Sequence, residues 1–199
     1  MDFSSLNLCS LLPTGKEALQ QDFKHSQKGL TYKWKIGVEE INTEIEWLEQ
    51  LLNKLPENAL LRLDANGGLD NKKATVLLQF ADTQPKIEFI EQPLPPGQFD
   101  QMVALQQKFE TPLALDESVA NINQLIHCYE QGWRSVFVVK AAIAGCPSKL
   151  RSFCQQKELD LVFSSVFATD IGRNSALKLA KELGNPHRAM GFGTKQWFE

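Results

Sequence analysis

Residues 60–81 read LLRLDANGGLDNKKATVLLQFA. The β-rich run 60–64 ends on a carboxylate. Gly67 and Gly68 then punctuate the chain, and 71–81 continues as an amphipathic stretch of helical length. Strand, turn and helix follow one another, and the same order extends both ways. Strand-like runs fall at 6–12, 32–38, 60–64, 87–91, 113–116, 135–140, 159–164 and 190–194, and longer amphipathic stretches at 39–53, 71–81, 99–109, 119–131, 148–157 and 171–183. In 39–53, Ile41, Ile45, Leu48, Leu51 and Leu52 recur every three or four residues and define one helical face. Ser118 and Asn121 are plausible helix caps. Strands alternating with helices argue for parallel βαβ units, and eight strands is the number that closes a barrel. An open doubly wound sheet is the rival, but no Gly-rich phosphate loop follows the first run. Leu12-Pro-Thr-Gly15 is too short and lacks the lysine and hydroxyl of a nucleotide loop.

The residues at the run ends carry the chemistry. Lys35, Asp64, Glu91, Asp116, Lys140 and Ser164 follow one another at intervals of 29, 27, 25, 24 and 24 residues, each about one strand, one helix and two loops. Each therefore ends a strand one place further on. Buried charges without partners are costly, so three acids on successive strands, flanked by lysines, need an explanation. Repulsion among Asp64, Glu91 and Asp116 calls for a counter-charge, and Mg²⁺ fits because it prefers hard oxygen ligands and keeps positions open for substrate. Residues i and i+2 of a strand share a face, so Lys33 lies with Lys35, and Arg62 with Asp64, one layer deeper. A carboxylate held on a dication stabilises the ene-diolate left when the neighbouring carbon loses its proton. A lysine near other cations can act as the base at neutral pH.

Each residue also has a plainer reading. Asp64 could be a turn aspartate, Glu91 a solvated strand-end acid, Asp116 a helix cap, and Lys140 a lysine reaching water. Ser164 and Ser165 could simply close a strand. Glu88 and Glu117 would make supporting or surface contacts. His25, His127 and His187 read as surface residues. Trp34, Phe89, Phe137, Phe163 and Phe167 read as core, and Trp197 and Phe198 as an apolar tail.

Composition narrows the classes. The 199 residues carry a formal net charge of −3, which speaks against a nucleic-acid footprint. No apolar run approaches the roughly 20 residues of a membrane helix, and the N-terminus lacks the form of a secretory signal, which favours the cytosol. Cys9, Cys128, Cys146 and Cys154 form no CxxC pair and read as reduced thiols, with Cys146 placed to begin a helix.

The KxK pair Lys33/Lys35 in YKWKIGV, DAN at Asp64, EQP at Glu91, DES at Asp116 and the isolated Lys140 resemble, in that order, the enolase superfamily in its muconate-cycloisomerase-like branch. LLPTGKEAL, LRLDANGGL, IEFIEQPLPP, LALDESVA and GFGTKQWFE resemble the o-succinylbenzoate synthases within it. The resemblance implies a TIM-type (β/α)7β barrel spanning 1–199 as a single domain. It also implies Mg²⁺, with Mn²⁺ as a substitute, held by Asp64, Glu91 and Asp116, and a small carboxylate substrate. The implied reaction is the syn dehydration of 2-succinyl-6-hydroxy-2,4-cyclohexadiene-1-carboxylate to o-succinylbenzoate, a step of menaquinone and phylloquinone biosynthesis. Lys35 would be the base that later acts as acid, Lys140 a cation stabilising the ene-diolate, and Lys33 a group tuning Lys35 and meeting the substrate carboxylate. Arg62, Ser164, Ser165 and Gly193 would contact the ring and succinyl tail. The family also carries an N-terminal α+β capping domain, which this chain is expected to lack, so weak turnover is expected of it alone. N-acylamino acid racemase, dipeptide epimerase and muconate cycloisomerase activities remain open, as does an inactive remnant.

Overall fold

The structure is a computed structural model that describes residues 3, 5–23, 30–166 and 168–193. His25, Phe167, Thr194, Trp197 and Phe198 lie outside the described residues. The chain divides into two compact units, Ser10–Glu117 and Met1–Cys9 with Ser118–Glu199.

The first unit holds β1 (Ser10–Leu11), β2 (Thr31–Lys35), β3 (Leu60–Asp64), β4 (Ile87–Glu91) and β5 (Leu113–Leu115), paired in that order and all parallel. Helices α1 (Ile41–Lys54), α2 (Asn71–Ala81) and α3 (Phe99–Lys108) connect them. The expected α1 stripe is the face that packs, although Ile45 is only half-buried. Ile41, Leu48, Leu51 and Leu52 are buried, and burial of each such side chain contributes about 1.5–3 kcal/mol. Leu61, Leu63, Phe89 and Ile90 are fully buried on the strands. Glu44 of α1 is buried, and its carboxylate accepts the backbone N–H groups of Gly37 (2.8 Å), Val38 (2.9 Å) and Glu39 (3.2 Å). It thereby fixes the turn that follows Lys35. Gly37 has φ +84°, where a side chain would be strained.

Asp82, just past α2, accepts from Thr111 N (2.8 Å), Thr111 Oγ1 (2.7 Å) and Glu110 N (3.2 Å) and so anchors the entry to β5. Slight burial works against its charge, but these hydrogen bonds outweigh it and hold the carboxyl below the ordinary 3.8. A depressed carboxyl stabilises the fold above its unfolded value, and that stabilisation is lost as pH falls through the folded one. The expected result is that Asp82→Asn lowers the melting temperature at pH 7 and narrows its difference from wild type at pH 3, measured by thermal denaturation.

The second unit holds β6 (Val136–Val139) and β7 (Asp160–Phe163), a parallel pair, with α4 (Ile122–Glu130), α5 (Pro147–Gln155) and α6 (Asp170–Leu183). α4 starts at Ile122 rather than at Val119. A short 3-10 turn takes Glu117–Val119, and Asn121 caps the helix in a reciprocal capping box with Gln124. Asn121 is thus the cap and Ser118 is not. The first and last strand-like runs are shorter than expected. Leu6 N turns back on Phe3 O, only Ser10–Leu11 forms a strand, and Pro13 has no N–H to continue it. At the other end Met190 bridges Leu8 and Gly191 bridges Ser164, but Phe192 N folds back on Met190 O and closes a turn. Trp34, Phe89, Phe137 and Phe163 are core, while His127 and His187 are exposed, as expected.

Candidate metal and lysine site

Parallel register gathers the site within the first unit. Lys35 pairs with Asp64, Asp64 with Glu91 and Glu91 with Ala114, so these side chains stand at one level along the strands. Asp116 lies two residues beyond Ala114, just past the end of β5. One layer deeper, Lys33 reaches up, and its Nζ lies 2.7 Å from both Asp64 Oδ2 and Glu91 Oε1. Lys33, expected one layer below Lys35, thus meets Asp64 and Glu91 directly.

The electrostatics are those of too many carboxylates for one ammonium. Burial opposes the charge on Lys33, but Glu91 and Asp64 more than offset it and hold the amine protonated well above its usual range. Glu91 is 2% exposed. Burial pushes its carboxyl up to about 7, and repulsion from Asp64 and Asp116 adds to this against the attraction of Lys33. Two of the predicted acids therefore act on the third, Glu91. Among the described residues no three acidic, histidine or cysteine side chains are gathered as a ready-made metal cage; Asp64 and Glu91 are turned onto Lys33. The donor set still suits a divalent cation, because hard carboxylate oxygens with excess negative charge are what Mg²⁺ favours.

Two neighbours escaped the sequence reading, and a third, Glu117, was read only as a supporting or surface contact. Gln92, buried with φ +39°, accepts Asp116 N–H on its Oε1 (3.0 Å) and donates from Nε2 to Leu94 O (2.8 Å), which places Asp116. Asn66, with φ +45°, gives its N–H to Asp64 Oδ1 (3.2 Å) and accepts Lys35 Nζ on Oδ1 (2.6 Å). Its Nδ2 donates to Glu117 Oε1 (3.1 Å). The EQP and DAN motifs contained Gln92 and Asn66, but a residue-type reading gave them no task.

Arg62 lies one layer below Asp64 as expected and is 1% exposed. It pairs with Glu88 through Nε (2.6 Å) and Nη2 (3.2 Å) and lies over the Phe89 ring at 4.6 Å. In the second unit Lys140 directly follows β6, and its carbonyl accepts the N–H groups of Ile143 and Ala144. Ser164 and Ser165 follow β7 and line a small recess with Ala142, Arg173 and Phe192. Gly193 is the residue after Phe192. Cys146 precedes α5 as expected, and backbone N–H groups around Lys149 hold its exposed thiol below the ordinary value. Burial pushes Cys128 and Cys154 up to about 11. All four cysteines are free thiols.

The family model for the enolase C-terminal domain-like proteins matches residues 21–196. The chain belongs to that family. The (β/α)7β class expected from the resemblance is the class of this enolase-type family, and the match runs through both units. The o-succinylbenzoate synthase of Thermosynechococcus vestitus is 39% identical over 196 residues, covering 96% of this chain and 60% of that protein. The L-Ala-D/L-Glu epimerase of Bacillus subtilis is 26% identical over 159 residues, 78% of this chain and 43% of that protein. Among solved structures, o-succinylbenzoate synthase from Thermosynechococcus elongatus BP-1, complexed with Mg in its active site, superposes with a TM-score of 0.87 at 36% identity over 96% of this chain and 61% of that one. Muconate lactonizing enzyme from Klebsiella pneumoniae, at 22% identity and TM-score 0.80, shares the fold. The chain thus spans about three fifths of the length of the Thermosynechococcus synthases it matches. No helix among its described residues is long and apolar enough to cross a membrane.

Proposed function

We propose that this chain supplies the metal and lysine groups of an o-succinylbenzoate synthase. It would remove the proton next to the carboxylate of 2-succinyl-6-hydroxy-2,4-cyclohexadiene-1-carboxylate and expel water, in the cytoplasm, for menaquinone or phylloquinone synthesis. The observation that carries this reading is the in-register row Lys35–Asp64–Glu91, with Lys33 bridging the two acids, in a chain 39% identical to a synthase. Asp64, Glu91 and Asp116 would hold Mg²⁺, or Mn²⁺ in its place. The bound cation would draw off negative charge developing on the substrate carboxylate.

This chain's own residues do the rest. Lys33 offers positive charge to the substrate carboxylate while keeping Asp64 and Glu91 in place. Lys35, as the free amine, takes the α proton as the C–H bond breaks. As an ammonium it then protonates the departing hydroxyl on the same face, so water leaves and the ring becomes aromatic. Lys140 remains a cation and offsets charge from its own strand end. Arg62, Ser164, Ser165 and Gly193 orient the ring and the succinyl tail. These roles rest on the motifs and on the register described above.

The test is an absorbance assay for o-succinylbenzoate with Mg²⁺, run on this chain alone and on the chain joined to an N-terminal capping domain of the kind the resemblance implies. Turnover is expected with the cap and is expected to be far weaker without it, because an uncapped site admits water. No product in either form would refute the synthase assignment; equal rates would refute the need for a cap. The Bacillus epimerase match favours a second reading, in which both lysines exchange an α proton. Solvent deuterium entering both enantiomers of an N-succinyl amino acid would support it.

A further inference from the structure

Asn66 is a non-glycine residue held at φ +45°, a backbone conformation that most side chains avoid but Asn tolerates. From there its side-chain amide meets two groups of opposite need. Lys35 Nζ requires an acceptor and finds Oδ1 at 2.6 Å, while Glu117 Oε1 requires a donor and finds Nδ2 at 3.1 Å. An amide has one acceptor end and one donor end, so whatever holds the donor end decides where the acceptor end points. Glu117 holds that donor end through Oε1, while its second oxygen, Oε2, is buried and has no hydrogen-bond partner among the described residues. The N–H of Asn66 meanwhile binds Asp64 Oδ1 at 3.2 Å, tying the same residue to a predicted metal acid.

We propose that Asn66 and Glu117 are positioning residues that aim the Lys35 amine, with Glu117 fixing the orientation of the Asn66 amide and Asn66 fixing Lys35. This rests on the reading of Lys35 as the base. The residue types fit the task. A carboxylate at 66 would accept from Lys35 but repel Glu117. A neutral amide at 117 could donate to Asn66 Oδ1 and rotate the amide, which would present N–H groups to the ammonium.

Three substitutions separate this relay from a merely structural role. Asn66→Gly removes the side chain and accepts the positive φ. It is expected to lower kcat for o-succinylbenzoate formation by about tenfold or more, as misplacement of a reacting group does. KM, Mg²⁺ affinity and melting temperature should stay close to wild type. Glu117→Gln and Asn66→Asp are each expected to lower kcat in the same way. Together they restore complementary partners, because Asp accepts from both Lys35 and the new amide, and kcat should recover most of the loss. In this chain without metal or substrate, acetylation of Lys35 followed by peptide mass spectrometry should proceed several-fold faster in Asn66→Gly, since the amine is no longer held. Unchanged acetylation, a wild-type kcat in Asn66→Gly, or a double variant no better than the worse single one would overturn the relay. Lys35→Ala is assayed alongside. If it keeps full activity, the base assignment fails and the relay with it; if it is inactive while Asn66→Gly is not, the relay alone fails.

Discussion

Lys35→Ala is expected to lower o-succinylbenzoate formation by about 10²–10⁴-fold, the contribution of a positioned general base, with little change in KM. Lys35 stands level with Asp64 on the neighbouring strand, and its amine is exposed at the strand end. It is therefore accessible to a substrate at the strand end, while Lys33 sits one layer deeper on two acids. Because the substitution removes an exposed side chain, the melting temperature should change little, so a large kinetic loss reports chemistry rather than unfolding. A fall in kcat with KM retained marks an interaction made in the transition state. A rise in KM with kcat retained would recast Lys35 as a binding group. The assay is the absorbance measurement on the capped chain.

Glu91→Gln should separate stability from function. Its folded pKa is raised from 4.5 to about 7. For an acid, a raised folded value means that the native state binds the proton more tightly than the unfolded chain does. Metal-free stability therefore falls as pH rises from about 4.5 to about 7 and levels off above. Removing this charge should abolish that slope and leave the metal-free protein at pH 8 at least as stable as wild type. The Mg²⁺ response should change oppositely. A ligand at a hundred times its Kd adds about 2.7 kcal/mol, or about 5–10 °C in a domain of this size, and Glu91→Gln should lose most of that rise. Thermal melts at pH 5.5 and pH 8, with and without Mg²⁺, measure both. A variant that melts lower without metal yet keeps its Mg²⁺ response would show Glu91 to be a structural acid.

The sequence was most legible where one local rule governs. The runs ending at Asp64 and Glu91 and the helix 71–81 are found at the expected boundaries, because a charged residue and a turn signal end each of them. The placing of Lys33 one layer below Lys35, and of Arg62 below Asp64, followed from strand parity. The 6–12 and 190–194 runs were over-read, since turns at Phe3–Leu6 and Met190–Phe192 compete with pairing and hydropathy does not register them. Asn66 and Gln92 were given no task for another reason, and Glu117 was read only as a supporting or surface contact. Their work depends on positive φ at the first two and on partners 24–51 residues away, and neither leaves a periodic trace. The capture of two acids by Lys33 also depends on side-chain reach, which spacing does not fix.

The most direct measurement is anomalous diffraction from crystals of this chain soaked in Mn²⁺. A single strong peak at bonding distance from carboxylate oxygens of Asp64, Glu91 and Asp116, with Lys33 displaced from at least one of them, is the predicted result. A map with no peak there, or with the ion on other residues while Lys33 still bridges Asp64 and Glu91, would contradict it.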